Sequence, residues 1–185
     1  MKAQFKKLFC IFISLLFVLL IAGCKRKNAP APQIKKGEFP FTVKYDIGDN
    51  NYSINDTVVC CFDGYDHSNS FSFINDRRWS QNLKSGEEYR RVLIEFEPYT
   101  ESVLTPGRKN VESRVILNYG FGGYYLGDPD YKDEGPCINY VEEYKTSEKV
   151  SRSIITKMSK KQLEKYFGIK ITKFEFSEPI KNIFK

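Results

Sequence analysis

The chain has 185 residues, 41% of them hydrophobic and 15% aromatic, with 29 basic against 23 acidic side chains and a formal net charge of +6. The surplus is uneven: residues 1–23 hold three lysines and no acid, residues 24–36 add five cations and no acid, and residues 37–185 hold 21 basic and 23 acidic side chains. A nucleic-acid binder carries its basic face on the folded part, so no such partner is expected, and one histidine (His67) without a second cysteine pair supplies no zinc set.

Lys2, Lys6 and Lys7 precede an apolar run of 16 residues from position 8 to 23, about 24 Å as a helix. A bilayer core of roughly 30 Å asks for about 20 residues, so the run is short for a span and has the layout of a secretory signal. It closes on Leu20-Ile21-Ala22-Gly23-Cys24, which resembles the lipobox of bacterial lipoproteins. The resemblance implies cleavage after Gly23, loss of Cys10 with the leader, and a diacylglyceryl thioether on Cys24. Two acyl chains hold a protein at a membrane where one gives only marginal binding. The expected layout is a signal peptide over 1–23, a lipidated basic, proline-rich tether over 24–38, and a single β-rich extracytoplasmic domain over 39–185. The expected address is the outer face of the cell membrane. Cations beside the anchor can lie against anionic head groups or wall polymers, with a merely solvated tether as the alternative.

Cys60, Cys61 and Cys137 remain after the leader and the lipid site are set aside. Three thiols allow at most one bridge. Neighbours on a strand face opposite ways, and Cys60 shares its phase with Ile54, Val58 and Phe62. The expected pair is therefore Cys60–Cys137, with all three reduced as the alternative.

In chain order, residues 25–38 read as an extended spacer around Ala29-Pro30-Ala31-Pro32. Residues 41–47 alternate, with Phe41, Val43, Tyr45 and Ile47 on one face; a turn at 48–51 returns the chain as a strand over 52–62, a hairpin. Phe71-Ser72-Phe73 reads as a short strand. Asp76 reads as the cap of a short helix that places Trp79 and Leu83 on one face and stops at Gly86. Residues 91–97 form a strand and 101–111 a turn region. Residues 113–119 and 124–126 read as a hairpin about Gly120, followed by an acidic loop over 127–136. Residues 138–145 and 150–157 make a further hairpin. Ser159 and Gln162 form a capping box, Met158 and Leu163 stand at the staple positions and Gly168 supplies the stop, giving a helix over 160–167. The last strand, 169–176, slips its apolar phase between Ile171 and Phe174, the mark of a bulge. The fold class expected is mainly β: a β-sandwich or open barrel of about nine strands with one or two short helices.

Three clusters are candidate sites. Asp128, Asp130, Asp133 and Glu134 crowd carboxylates into one loop, as a calcium site does, although without EF-hand spacing. Tyr119, Phe121, Tyr124 and Tyr125 would stack on sugar rings if exposed. Arg77, Arg78 and Trp79 combine residue types frequent at binding hot spots. No catalytic residue is expected: nucleophile elbows, Ser-x-x-Lys and zinc-hydrolase motifs are missing from the sequence.

Asp56-Thr-Val-Val-Cys60, Gly127-Asp-Pro129 with Tyr131 behind it, and Phe174-Glu-Phe176 followed by Glu178-Pro-Ile-Lys-Asn-Ile-Phe184 make the domain similar to small lipoproteins of low-GC Gram-positive bacteria. That resemblance implies an exported, anchored domain and assigns no catalytic residue and no cofactor beyond the lipid on Cys24. The function expected is that of a non-enzymatic surface lipoprotein binding a cell-envelope polymer or a protein partner. A carbohydrate-binding module and a hydrolase are the alternatives.

Overall fold

The computed structural model describes residues 27–68, 74–97, 100–109, 111–147 and 150–185. The leader, the lipobox with Cys24, and the Phe71–Phe73 segment lie outside the described residues. The fold is mainly β, as composition and alternation predict. Its strands are β1 (Lys27–Asn28), β2 (Lys36–Ile47), β3 (Asn50–Asp66), β4 (Ile74–Leu83), β5 (Arg90–Glu95), β6 (Val111–Asn118), β7 (Cys137–Ser147), β8 (Val150–Lys157) and β9 (Ile169–Phe176). Among the described residues two short helices, α1 (Gly122–Tyr125) and α2 (Lys160–Phe167), and a 3-10 turn (Pro129–Tyr131) accompany them. The strands form two sheets, in the orders β1-β4-β3-β2-β9 and β5-β6-β7-β8.

The chain divides into two compact units, one of Met1–Ala31 with Tyr65–Arg77 and one of Pro32–Gly64 with Arg78–Lys185. In the described part of the first, β1 runs parallel to the start of β4, Lys27 opposite Ile74 and Asn28 opposite Asn75. Asn75 Nδ2 donates to Asn28 Oδ1 at 2.8 Å, and Arg77 Nη1 donates to the Pro30 carbonyl at 3.4 Å.

The second unit holds the core, with β2, β5 to β9 and the greater part of β3 and β4. β2 and β3 form the expected hairpin, closing at Ile47 opposite Asn50. The two-residue turn needs a positive φ, which Gly48 supplies at 57°. Phe39, Phe41, Val43 and Tyr45 of β2 meet Val115 and Leu117 of β6 and Ile138 and Tyr140 of β7 in one apolar cluster. Burying each large apolar side chain contributes roughly 1.5–3 kcal/mol. The expected bulge in β9 is present: Lys44 opposes Lys173 while Tyr45 opposes Ile171, so Thr172 is the extra residue. β7 also brings a charge inward. Glu142 is buried; it accepts from Arg108 Nη1 at 2.9 Å and from the Ser102 hydroxyl, which fastens the loop before β6 to the sheet.

Four expectations need correction. Residues 76–83 are strand, not helix, with Asn75, Arg77 and Trp79 buried and Ile74, Asp76 and Arg78 exposed. A separation of four puts Trp79 and Leu83 on one side under either periodicity, and Asn and Arg at two inward positions hide the alternation. Residues 124–126 are not a return strand, because α1 runs through Tyr125 and Leu126 caps it. Residues 25–38 are not all spacer: Lys27–Asn28 form β1, Pro32 pairs with Phe184 and β2 begins at Lys36. Cys60, Cys61 and Cys137 are all free thiols. Cys60 is sealed in the β2–β3 ladder opposite Gly37, whereas the Cys137 thiol opens β7 and donates to Asn139 Oδ1 at 3.6 Å.

Candidate functional site

The corner that follows β6 is built from residues 118–135. Gly120 takes a φ of 92° and donates its N–H to Asn118 Oδ1 at 3.1 Å. Its carbonyl accepts from the Tyr89 hydroxyl, and the Tyr125 hydroxyl donates to the Tyr119 carbonyl at 2.6 Å. The Phe121 N–H donates to the Glu134 carbonyl at 2.9 Å, and Gly122 donates to Gln81 Oε1 at 3.2 Å. Glycine is required where α1 meets β4: a Cβ on Gly122 would stand 2.9 Å from the Ser80 carbonyl oxygen.

The aromatic cluster separates into core and surface. Tyr119 and Tyr125 are completely buried; Tyr119 packs on Phe41 at 4.8 Å and Tyr125 on Phe39 at 4.8 Å. Neither ring can stack on a sugar, which corrects the expectation for both. Tyr124 is half-buried against Tyr125. Phe121 alone keeps an exposed ring (37%), stacked on Tyr131 at 5.3 Å with the planes 3° apart.

The acidic loop does not gather its four carboxylates. Asp128 turns inward, where Oδ2 accepts from Trp79 Nε1 at 2.9 Å and Oδ1 from the Asp130 N–H at 3.1 Å. Asp130, Asp133 and Glu134 stay exposed, and among the described residues no group of three or more His, Cys, Asp or Glu is placed to hold a metal ion. The Arg77-Arg78-Trp79 trio is likewise not a surface tip. Arg77 and Trp79 are buried, while Arg78 is exposed and donates to the Asp63 carbonyl at 3.1 Å.

What the structure brings together instead is a cleft of about 450 Å³ over Gly120. Gln81, Glu88, Tyr89, Arg90, Asn118, Phe121 and Glu134 line it. They come from β4, the loop before β5, β5 itself, β6 and the corner, so no local spacing announces them; Phe121 and Glu134 alone were legible as candidates. An exposed aromatic ring among donors and acceptors of both charges suits a polar ligand with one apolar face.

Nucleophilic chemistry has little support nearby. Burial pushes the Cys60 thiol up to about 12, with the neighbouring Cys61 adding to it, and raises the Cys137 thiol as well. Burial likewise lifts the Tyr119 hydroxyl to about 12 and those of Tyr89 and Tyr125 higher still. Thiols that stay protonated at neutral pH are poor nucleophiles. Glu88 and Glu134 share the cleft, yet both are exposed, whereas the acid of a glycosidase sits in a water-poor pocket.

Comparison of the chain with protein-family models, with curated proteins and with solved structures finds no match in any of the three.

Proposed function

We propose that this chain is a lipoprotein held at the outer face of the cell membrane by a diacylglyceryl group on Cys24, and that its β domain is a non-enzymatic module binding a cell-envelope polymer. The observation that carries this reading is the sequence from Lys2 to Cys24: a basic start, an apolar run too short to span, and a lipobox at its close. Among the described residues no helix is long and apolar enough to cross a membrane.

The cleft over Gly120 supports the choice of ligand. Phe121 offers a ring face, and Gln81, Arg90 and Asn118 offer hydrogen bonds at its rim, the combination a repeating sugar-containing polymer needs. The test is capture of partner from intact envelopes and from wall-stripped cells, with the native chain and with Phe121→Ala and Arg90→Glu. Capture that depends on the wall and drops in both variants supports the proposal. No capture from either preparation contradicts it. A protein partner retained on wall-stripped cells moves the ligand from polymer to protein. Hydrolysis of the wall that is abolished by Glu88→Gln or Glu134→Gln replaces binding with catalysis.

A further inference from the structure

The tether does not leave the domain freely. Pro32 bridges Phe184, the Gln33 N–H donates to the Ile183 carbonyl at 2.8 Å, and the Ile34 N–H donates to Asn182 Oδ1 at 3.0 Å. Asn182 Nδ2 returns bonds to the carbonyls of Ile34 at 2.8 Å and Leu126 at 2.9 Å. These bonds join residues 32–34 to 182–184 as one ribbon. The ribbon carries two large apolar side chains in water, Ile34 at 42% and Ile183 at 52% exposure. Four exposed lysines flank them: Lys35, Lys36, Lys181 and Lys185. Neither 32–37 nor 179–185 contains an acid; of the carboxylates that adjoin them along the chain, Glu38 is held by Lys84 at 2.8 Å and Glu178 is exposed.

We propose that the outer face of this ribbon is the surface that the anchored domain lays against the membrane, with Ile183 dipping among the head groups and Lys35, Lys181 and Lys185, on the same face by strand alternation, meeting anionic lipid phosphates. The inference rests on the lipid-anchor reading above. Its occupant follows from charge complementarity and from chain length. Ile34 lies ten residues after Cys24, a reach of at most about 35 Å when fully extended. Isolated apolar side chains ringed by lysines are the chemistry of interfacial contact: the hydrocarbon enters the head-group boundary while the ammonium groups remain with the phosphates. A wall polyanion would use the lysines but leave Ile183 in water.

The experiment uses the full chain in vesicles that contain brominated lipid. Tryptophan is placed at Ile183→Trp and, as a control, at Ile155→Trp, an exposed site (64%) on β8. With phosphatidylglycerol present, the probe at 183 is expected to be quenched roughly twofold or more over the probe at 155. The difference should vanish in purely zwitterionic vesicles and after Lys35→Glu, Lys181→Glu and Lys185→Glu together. Equal quenching at the two positions overturns the proposal. So does binding of soluble poly(glycerol phosphate) through the three lysines without preferential quenching at 183. The fate of Cys24 is read separately, by detergent-phase partitioning of the native chain against Cys24→Ser. The paired probes are compared in either case, so a failed anchor and a failed ribbon give different results.

Discussion

Two corners of the molecule end in a glycine with nearly the same backbone, and they are specified in opposite ways. At Gly168 (φ 64°), which closes α2, a Cβ would meet nothing within 4 Å. Everything that makes that corner is adjacent in sequence: Ser159 accepts from the Gln162 N–H, Gln162 Oε1 accepts from the Ser159 N–H, and Leu163 and Phe167 turn inward. At Gly127 (φ 69°), a Cβ would lie 2.2 Å from the Ile180 carbonyl oxygen. That corner is made by remote partners: Asp128 under Trp79, the Leu126 carbonyl on Asn182, and the Ile180 N–H on the Tyr125 carbonyl at 2.9 Å. One is a local motif docked onto a core; the other exists only once distant strands have assembled.

Gly127→Ala and Gly168→Ala break this comparison most sharply. Gly168→Ala should cost about 1 kcal/mol, the left-handed conformation alone. Gly127→Ala should cost about 3 kcal/mol, because overpacking against the Ile180 carbonyl adds to the same backbone term. Denaturant unfolding measures both, and equal losses would show that the two corners do not differ. Asp128→Ala comes next. It leaves the indole N–H of Trp79 buried without this acceptor and should cost about 2 kcal/mol, with Asp128→Asn recovering part of the loss. Ser159→Ala removes one cap and should cost about 1 kcal/mol, with helix fraying confined to α2.

The smallest effect at neutral pH is the one held by the buried thiol and phenols beside the Gly120 corner. Their native pKa values are raised, so above the unfolded values the unfolded chain loses protons that the native chain keeps, and stability falls as pH rises. For Cys60 that contribution is intact below about pH 9 and is lost toward about pH 12. Titrating unfolding free energy against pH should show a flat region near neutrality and a decline above about pH 9. The decline should be shallower in Cys60→Ala. A fall that begins well below pH 9 would contradict it.

The same contrast explains what the sequence discloses. The β2–β3 hairpin, the α2 helix with its cap, and the β9 bulge rest on neighbours in sequence, and alternation or capping chemistry announces each. β4 was hidden because its inward residues include Asn75 and Arg77, which break the apolar alternation, while Trp79 and Leu83 satisfy helix and strand spacing alike. The 120–131 corner was hidden because two of its four clustered aromatics, Tyr119 and Tyr125, are core and only Phe121 is exposed; sequence proximity says nothing about which ring faces water. Asp128 illustrates the limit most plainly. In the loop it reads as a calcium ligand, and in the fold it is the acceptor for Trp79, 49 residues away. The cleft over Gly120 draws on five segments, so its rim was beyond local pattern altogether.

Intact-mass analysis of the protein extracted from its own membranes reads the state of Cys24. The expected species is a chain that begins at Cys24 and carries the mass of a diacylglyceryl group, with labelled palmitate incorporated at that residue. A chain that begins at Met1 and retains an unmodified Cys24 thiol would contradict the lipid-anchor reading.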